Sequence, residues 1–116
     1  MIADGLTIRR NAKGRAVYAT RAFRRGERVS ECTMLVWPKS IKPDRFVRLY
    51  VWEWIDTHAI CLGIASLFNH GVLPNTGSQR LYDSNKMAFN ALRDIARGEE
   101  ILVDYGEGAS AFKVIP

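Results

Sequence analysis

The chain has 116 residues, 47% of them hydrophobic and 25% charged, with a formal net charge of +5; such a length folds as one domain, and the composition is too apolar for a disordered chain. No apolar run reaches the roughly twenty residues of a membrane span, and the first residues lack a hydrophobic signal core, so the expected compartment is intracellular, nuclear or bacterial-cytoplasmic. Cys32, Cys61, His58 and His70 do not stand at metal-ligand spacing, which excludes a zinc centre and leaves the cysteines as small buried residues or, if close in space, a disulfide.

The charge is uneven. Residues 1–48 hold twelve Lys/Arg against four Asp/Glu, and residues 49–116 five against eight. A basic N-terminal part suits nucleic acid or an acidic partner, but aromatics are not interleaved with the charges as in single-strand binders. The pattern therefore reads as a solvated face, and nucleic acid is not the expected partner.

In chain order, Leu6-Thr7-Ile8 and Ala16-Val17-Tyr18-Ala19 predict two strands around a turn at Asn11 to Gly14. Arg28 to Trp37 is a longer β-branched and apolar run, stopped by Pro38. A helix is expected from Asp44, after Pro43, carrying Phe46, Val47, Leu49, Tyr50, Trp54 and Ile55. Gly63 to Phe68 predicts one further helical turn. Met87, Phe89 and Ala91 alternate in a strand, and Ile101-Leu102-Val103 forms a last one. Arg21 to Val29 and Arg93 to Ile101 share Arg, Arg, Gly and Glu in register, as expected of one tight glycine turn used twice to lead into a strand.

Two segments concentrate polar residues: Asn69-His70-Gly71-Val72-Leu73-Pro74-Asn75 and Gly98-Glu99-Glu100-Ile101-Leu102-Val103-Asp104-Tyr105-Gly106. Taken as residues alone, the first is a polar loop and the second a strand ending in a tyrosine that packs its ring on the core. Together and in this order, with Lys13-Gly14-Arg15-Ala16 upstream, they resemble the signature of the SET-domain protein lysine methyltransferases, in the minimal single-domain form of viral or bacterial type.

That resemblance implies a mainly β fold of the SET (β-clip) type, with small sheets, short helical segments and a knot-like crossing at the active site. It implies one SET domain over residues 1–116 without pre-SET or zinc-binding post-SET regions. S-adenosylmethionine would be held by Lys13, Gly14, Arg15, Ala16, Asn69, His70 and Tyr105. Tyr105 would be the catalytic tyrosine, with Tyr50 the second candidate, and Tyr50, Tyr105 and Phe112 would line the channel for the substrate lysine. The expected partners are a lysine-bearing protein, a histone among them, and a second copy of the chain, since Trp37, Trp52, Trp54 and Phe46 make an aromatic-rich segment suited to self-association. Glu99, Glu100, Asp104 or Glu107 would receive a basic peptide. Three departures from the family pattern matter: Ala16 replaces the second glycine of Gly-x-Gly, Gly71 replaces a small polar residue, and Phe112 is the sole aromatic in the ten residues after Gly106. The first two favour the alternative of a non-catalytic peptide-binding or assembly module, while the retained Asn69, His70 and Tyr105 oppose it.

Overall fold

The computed structural model describes residues 4–104. Its first hairpin pairs β1 (Leu6–Asn11) with β2 (Gly14–Ala19). The remaining strands are β3 (Arg28–Val36), β4 (Val51–Trp54), β5 (Thr57–Leu62), β6 (Asn69–His70), β7 (Thr76–Leu81), β8 (Lys86–Ala91) and β9 (Leu102–Val103), and they join one curled sheet in the order β4-β5-β3-β8-β7-β9-β6. Pairing is antiparallel except around β9, which runs parallel to both β6 and β7. The late-sequence motif thus lies between the two ends of the Asn69 to Asn75 loop.

The core sits under β3, β8 and β2. Phe89 and Met87 have no exposed surface, and Val17, Phe23, Ile95, Ile101 and Val103 are equally enclosed. Each such apolar side chain contributes on the order of 1.5–3 kcal/mol when fully buried. Phe89 is met edge-on by Phe68 at 5.1 Å and by Trp52 at 6.0 Å between ring centroids, a geometry that opposes ring edge to ring face. Cys32 and Cys61 are buried free thiols. The hydrogen bond with Cys32, followed by burial, pushes the Cys61 thiol above its ordinary value.

The expected helix after Asp44 is a correction. Only Val47–Leu49 forms a single 3-10 turn, whose first N–H donates to Asp44 Oδ1 at 2.9 Å. The following residues are β4, paired with β5 through a turn at Ile55 and Asp56. Val51, Trp52 and Trp54 are buried while Glu53 is exposed, so the all-round apolar pattern comes from a strand covered on both faces. Asp56 takes a φ of +59° in that turn, a conformation that Asp tolerates better than most residues. The aromatic segment expected to mediate self-association is also largely withdrawn, since Trp52 and Trp54 are 3% and 8% exposed and Phe46 alone of the four stands out at 67%.

The internal repeat has a direct structural counterpart. Gly26 and Gly98 adopt φ of +86° and +93°, values that L side chains rarely take. Glu27 accepts from the Arg24 N–H at 3.0 Å and pairs with Arg21 at 2.8 Å; Glu99 accepts from the Ala96 N–H at 2.8 Å and pairs with Arg93 at 3.1 Å. The two turns also bond to each other, Phe23 with Ile95 in both directions at 2.9 and 2.8 Å.

Candidate functional site

The site is assembled from the β1–β2 turn, the loop before β6 and the segment leading into β9. In the first, Asn11 Oδ1 accepts the Lys13 N–H at 2.8 Å, a side-chain-closed turn, and Gly14 completes it at a φ of +108°. Register places Arg10 directly opposite Arg15. Like charges so placed destabilise a hairpin, and the cost is tolerated where both guanidinium groups border a cleft with Lys13.

The second segment begins at Gly63, runs through the 3-10 turn Ile64–Leu67 and is anchored by the buried Phe68. Asn69 then pairs with Leu102 and its amide reaches across to both other segments. Its Nδ2 donates to the Arg15 carbonyl at 3.1 Å and to Glu100 Oε2 at 2.7 Å. Both partners are pure acceptors, so the orientation of the amide is determined: a flipped Asn69 would set oxygen against two oxygens. Glu100 Oε1 receives Lys13 Nζ at 3.1 Å and Asn11 Nδ2 at 3.4 Å.

Asn75 closes the loop on the third segment. It is 1% exposed. Its Nδ2 donates to the Glu100 carbonyl at 2.8 Å, while its Oδ1 accepts the Leu102 N–H at 2.9 Å and the Thr76 hydroxyl at 3.0 Å. The bonds of Asn75 to Glu100 and Leu102 therefore fix where this segment and β9 lie relative to the loop.

The β1–β2 hairpin, the 3-10 turn with the start of β4, and the Ala65 to Asn69 segment border a cleft of about 530 Å³ that includes Arg10, Lys13, Arg15, Tyr50 and Asn69, with Phe46 at its rim, while the segment leading into β9 braces it from behind through Glu100. The volume suits a small-molecule ligand, whose sites run roughly 300–1,000 Å³. The Phe46 and Tyr50 rings lie 5.6 Å apart and offer an apolar surface. Cationic groups, an amide and two rings in one opening fit a ligand that combines a carboxylate, an amine and a heteroaromatic ring, which is the chemistry of S-adenosylmethionine.

Of the residues expected at a cofactor or channel, Lys13, Arg15, Tyr50 and Asn69 come together at this cleft, and Gly14 shapes the turn. Ala16 does not present itself: it has no exposed surface in β2. Nor is it strained, because among the described residues only Asp56 and Asn85 take positive φ without being glycine. Its methyl group is accommodated in the interior, which answers the first departure. The second has a packing reason. A Cβ on Gly71 would meet Leu102 side-chain atoms at 3.0 and 3.1 Å, so a serine there requires this leucine to give way by a few tenths of an ångström. His70 pairs through its backbone with Val103 and its Nδ1 stands 3.9 Å from Asp104. Tyr105, Glu107 and Phe112 lie outside the described residues.

Two of the four acids expected to receive a basic peptide are engaged within the fold, whereas Asp104 is exposed beside His70. Glu99 is engaged by Arg93 and the Ala96 N–H, and the Glu100 carboxylate by Lys13, Asn69 and Asn11. Neither is a free acid awaiting a basic peptide. Sequence reasoning missed Arg10, Phe46 and the structural place of Glu100. The signal for Arg10 was available, since hairpin register around the Asn11 to Gly14 turn places it opposite Arg15. Among the described residues no group of acids, histidines and cysteines forms a metal site, and no helix is long and apolar enough to cross a membrane.

Comparison with known proteins agrees with this arrangement. Residues 14–106 match the SET domain family. A histone-lysine N-methyltransferase of Schizosaccharomyces pombe, specific for H3 lysine-37, is 29% identical over 75 residues, which cover 58% of this chain and 51% of that protein. The chain thus matches about half the length of this curated relative. In three dimensions it superposes on a presumed histone methyltransferase of Plasmodium falciparum with a TM-score of 0.79 at 23% identity, over 91% of this chain and 96% of the other. That likeness establishes the mainly β fold as SET-like.

Proposed function

The chain belongs to the SET-domain family, and on that premise we propose that it is a protein-lysine N-methyltransferase that uses S-adenosylmethionine. The observation that carries this reading is the meeting of Lys13, Arg15, Tyr50 and Asn69 at one cleft, since these are residues that family likeness assigns to cofactor and channel. When bound, S-adenosylmethionine supplies a methyl group activated on a sulfonium.

The chain's own residues bind and orient, and they disfavour the ammonium form of the substrate lysine, whose proton is lost to solvent before transfer. With both Nδ2 hydrogens of Asn69 committed to Arg15 and Glu100, its Oδ1 is the atom left to accept from the ligand's amine. Arg10 and Arg15 offer positive charge to the carboxylate. A substrate lysine must arrive neutral although its ordinary pKa is about 10.4, and a cleft bordered by Arg10, Lys13 and Arg15 disfavours a further ammonium. In this reading the Tyr105 hydroxyl orients the neutral amine, and Tyr50 supports it at the cleft. Positioning of the reacting atoms and exclusion of water then supply most of the acceleration. The substrate is read as a histone or another basic protein, supported by the activity named for the fission-yeast relative.

The test is calorimetric titration with S-adenosylmethionine followed by transfer of a labelled methyl group to an array of lysine peptides, read by mass spectrometry. Binding with labelled lysine is the expected result. Absence of cofactor binding refutes the proposal, and binding without transfer to any lysine protein favours the non-catalytic module.

A further inference from the structure

Glu100 is the least exposed acid of the ion pairs among the described residues, with 15% of its side chain open to solvent, yet it does not border the cleft. It stands behind the wall. One carboxylate oxygen takes the Asn69 amide at 2.7 Å, and the other takes Lys13 Nζ at 3.1 Å and Asn11 Nδ2 at 3.4 Å. Asn11 in turn closes the turn that carries Lys13 and donates to the Tyr18 hydroxyl at 3.0 Å. The backbone of Glu100 is itself fixed by Asn75. A single carboxylate therefore joins the basic turn, the Asn69 strand and the segment leading into β9.

This has an electrostatic consequence. Arg10 and Arg15 are register partners, no carboxylate among the described residues forms an ion pair with either, and Lys13 adds a third positive charge. S-adenosylmethionine brings one more positive charge than its thioether product, S-adenosylhomocysteine. A cleft bordered by cations alone would favour the product. Glu100 is the one carboxylate bonded to any of the cleft's polar residues among those described, and its charge acts over the few ångströms separating it from Lys13 and Asn69.

We propose that Glu100 is a positioning residue of the cofactor site: it holds Asn69 so that only Oδ1 faces the ligand, and its charge offsets the Lys13–Arg15–Arg10 cluster enough to admit a sulfonium. The proposal rests on the methyltransferase reading. It assigns Glu100 to cofactor discrimination and not to the substrate peptide.

The experiment is calorimetric titration of the whole chain and its Glu100→Gln and Lys13→Met variants with S-adenosylmethionine and, separately, S-adenosylhomocysteine. Loss of an anion near a monocationic ligand is expected to raise the ratio of the two dissociation constants, sulfonium over thioether, about fivefold in Glu100→Gln. Loss of the neighbouring cation is expected to lower the same ratio in Lys13→Met. A purely structural role would weaken both ligands alike and leave the ratio where it was. If the unmodified chain binds neither ligand, the methyltransferase reading falls and this assignment with it. If it binds both and Glu100→Gln keeps the ratio within about twofold, the assignment alone is overturned. Should Glu100→Gln fail to fold, an unchanged ratio in Lys13→Met overturns it equally.

Discussion

Replacement of Asn75 by alanine is expected to cost more stability than any loop asparagine usually does. The side chain is 1% exposed and makes bonds of 2.8 Å to the Glu100 carbonyl and 2.9 Å from the Leu102 N–H. Alanine leaves both backbone groups without their partner. Each buried group so orphaned costs about 1–3 kcal/mol, and the Thr76 hydroxyl, which can rotate to another acceptor, is left out of the sum. A loss of about 4 kcal/mol follows, against a total of about 5–15 kcal/mol for a small domain. With an unfolding entropy of about 2.1 cal/mol/K per residue, this chain should melt about 15 °C lower.

Urea unfolding followed by tryptophan fluorescence measures the loss directly, with the m-value checking that the denatured state is unchanged. Asn75→Asp separates hydrogen bonding from packing. One of its oxygens keeps the bond from Leu102, while the other confronts the Glu100 carbonyl, so the variant is destabilised at neutral pH. The charged form being disfavoured in the fold, its carboxyl titrates above the unfolded value, and the deficit shrinks as pH falls and the protonated acid donates to that carbonyl. A loss below about 1 kcal/mol for Asn75→Ala, or a deficit in Asn75→Asp that does not respond to pH, would refute the account.

Gly71→Ser should destabilise the chain by about 1 kcal/mol, because the new Cβ crowds the Leu102 side chain and displaces it; a double-mutant cycle with Leu102→Ala should recover part of it, and strict additivity would rule out this contact. The Glu99 carboxyl is held below its ordinary value by the Ala96 N–H, with Arg93 assisting. Its stabilisation is fully present above the unfolded carboxyl range and is lost as pH falls through the lower folded value, so the gap between the native chain and Glu99→Gln in urea midpoint should be widest near neutrality and narrow in acid. Tyr105→Phe should lower turnover on a lysine peptide about a hundredfold while leaving S-adenosylmethionine affinity nearly unchanged, as removal of one preorganised hydroxyl does; full activity would move the catalytic role to Tyr50.

What could be read before the structure was whatever one segment encodes by itself. The Asn11 to Gly14 hairpin, the run ending at Val36 and the paired glycine turns each carry their signal within a few residues, as period-two apolarity next to a glycine that must take positive φ. The β4–β5 hairpin was hidden because burial of Val51, Trp52 and Trp54 erases the alternation that marks a strand. Strand β7, Thr-Gly-Ser-Gln-Arg-Leu, was hidden for the opposite reason: it is polar throughout and is a strand only because β8 and β9 lie on either side.

The same division explains the site. Asn69 and the Lys13 to Arg15 turn were legible through family likeness, since each sits within a short motif. Glu99 and Glu100 were both expected to face a substrate, yet Glu99 is engaged by the Ala96 N–H and by Arg93. Nothing in the order of residues distinguishes the two glutamates. They differ because strand geometry sends successive side chains to opposite sides, which delivers one to a local arginine and the other to Asn11, Lys13 and Asn69, all remote in sequence. A carboxylate's role is decided by the groups the fold brings to it, and for Glu100 these are one cation and two amides from segments distant in sequence. Asn75 and Glu100 hold the Asn69 strand, the basic turn and the segment leading into β9 together, so a substitution at either, although neither borders the cleft, should alter the site through the groups that do.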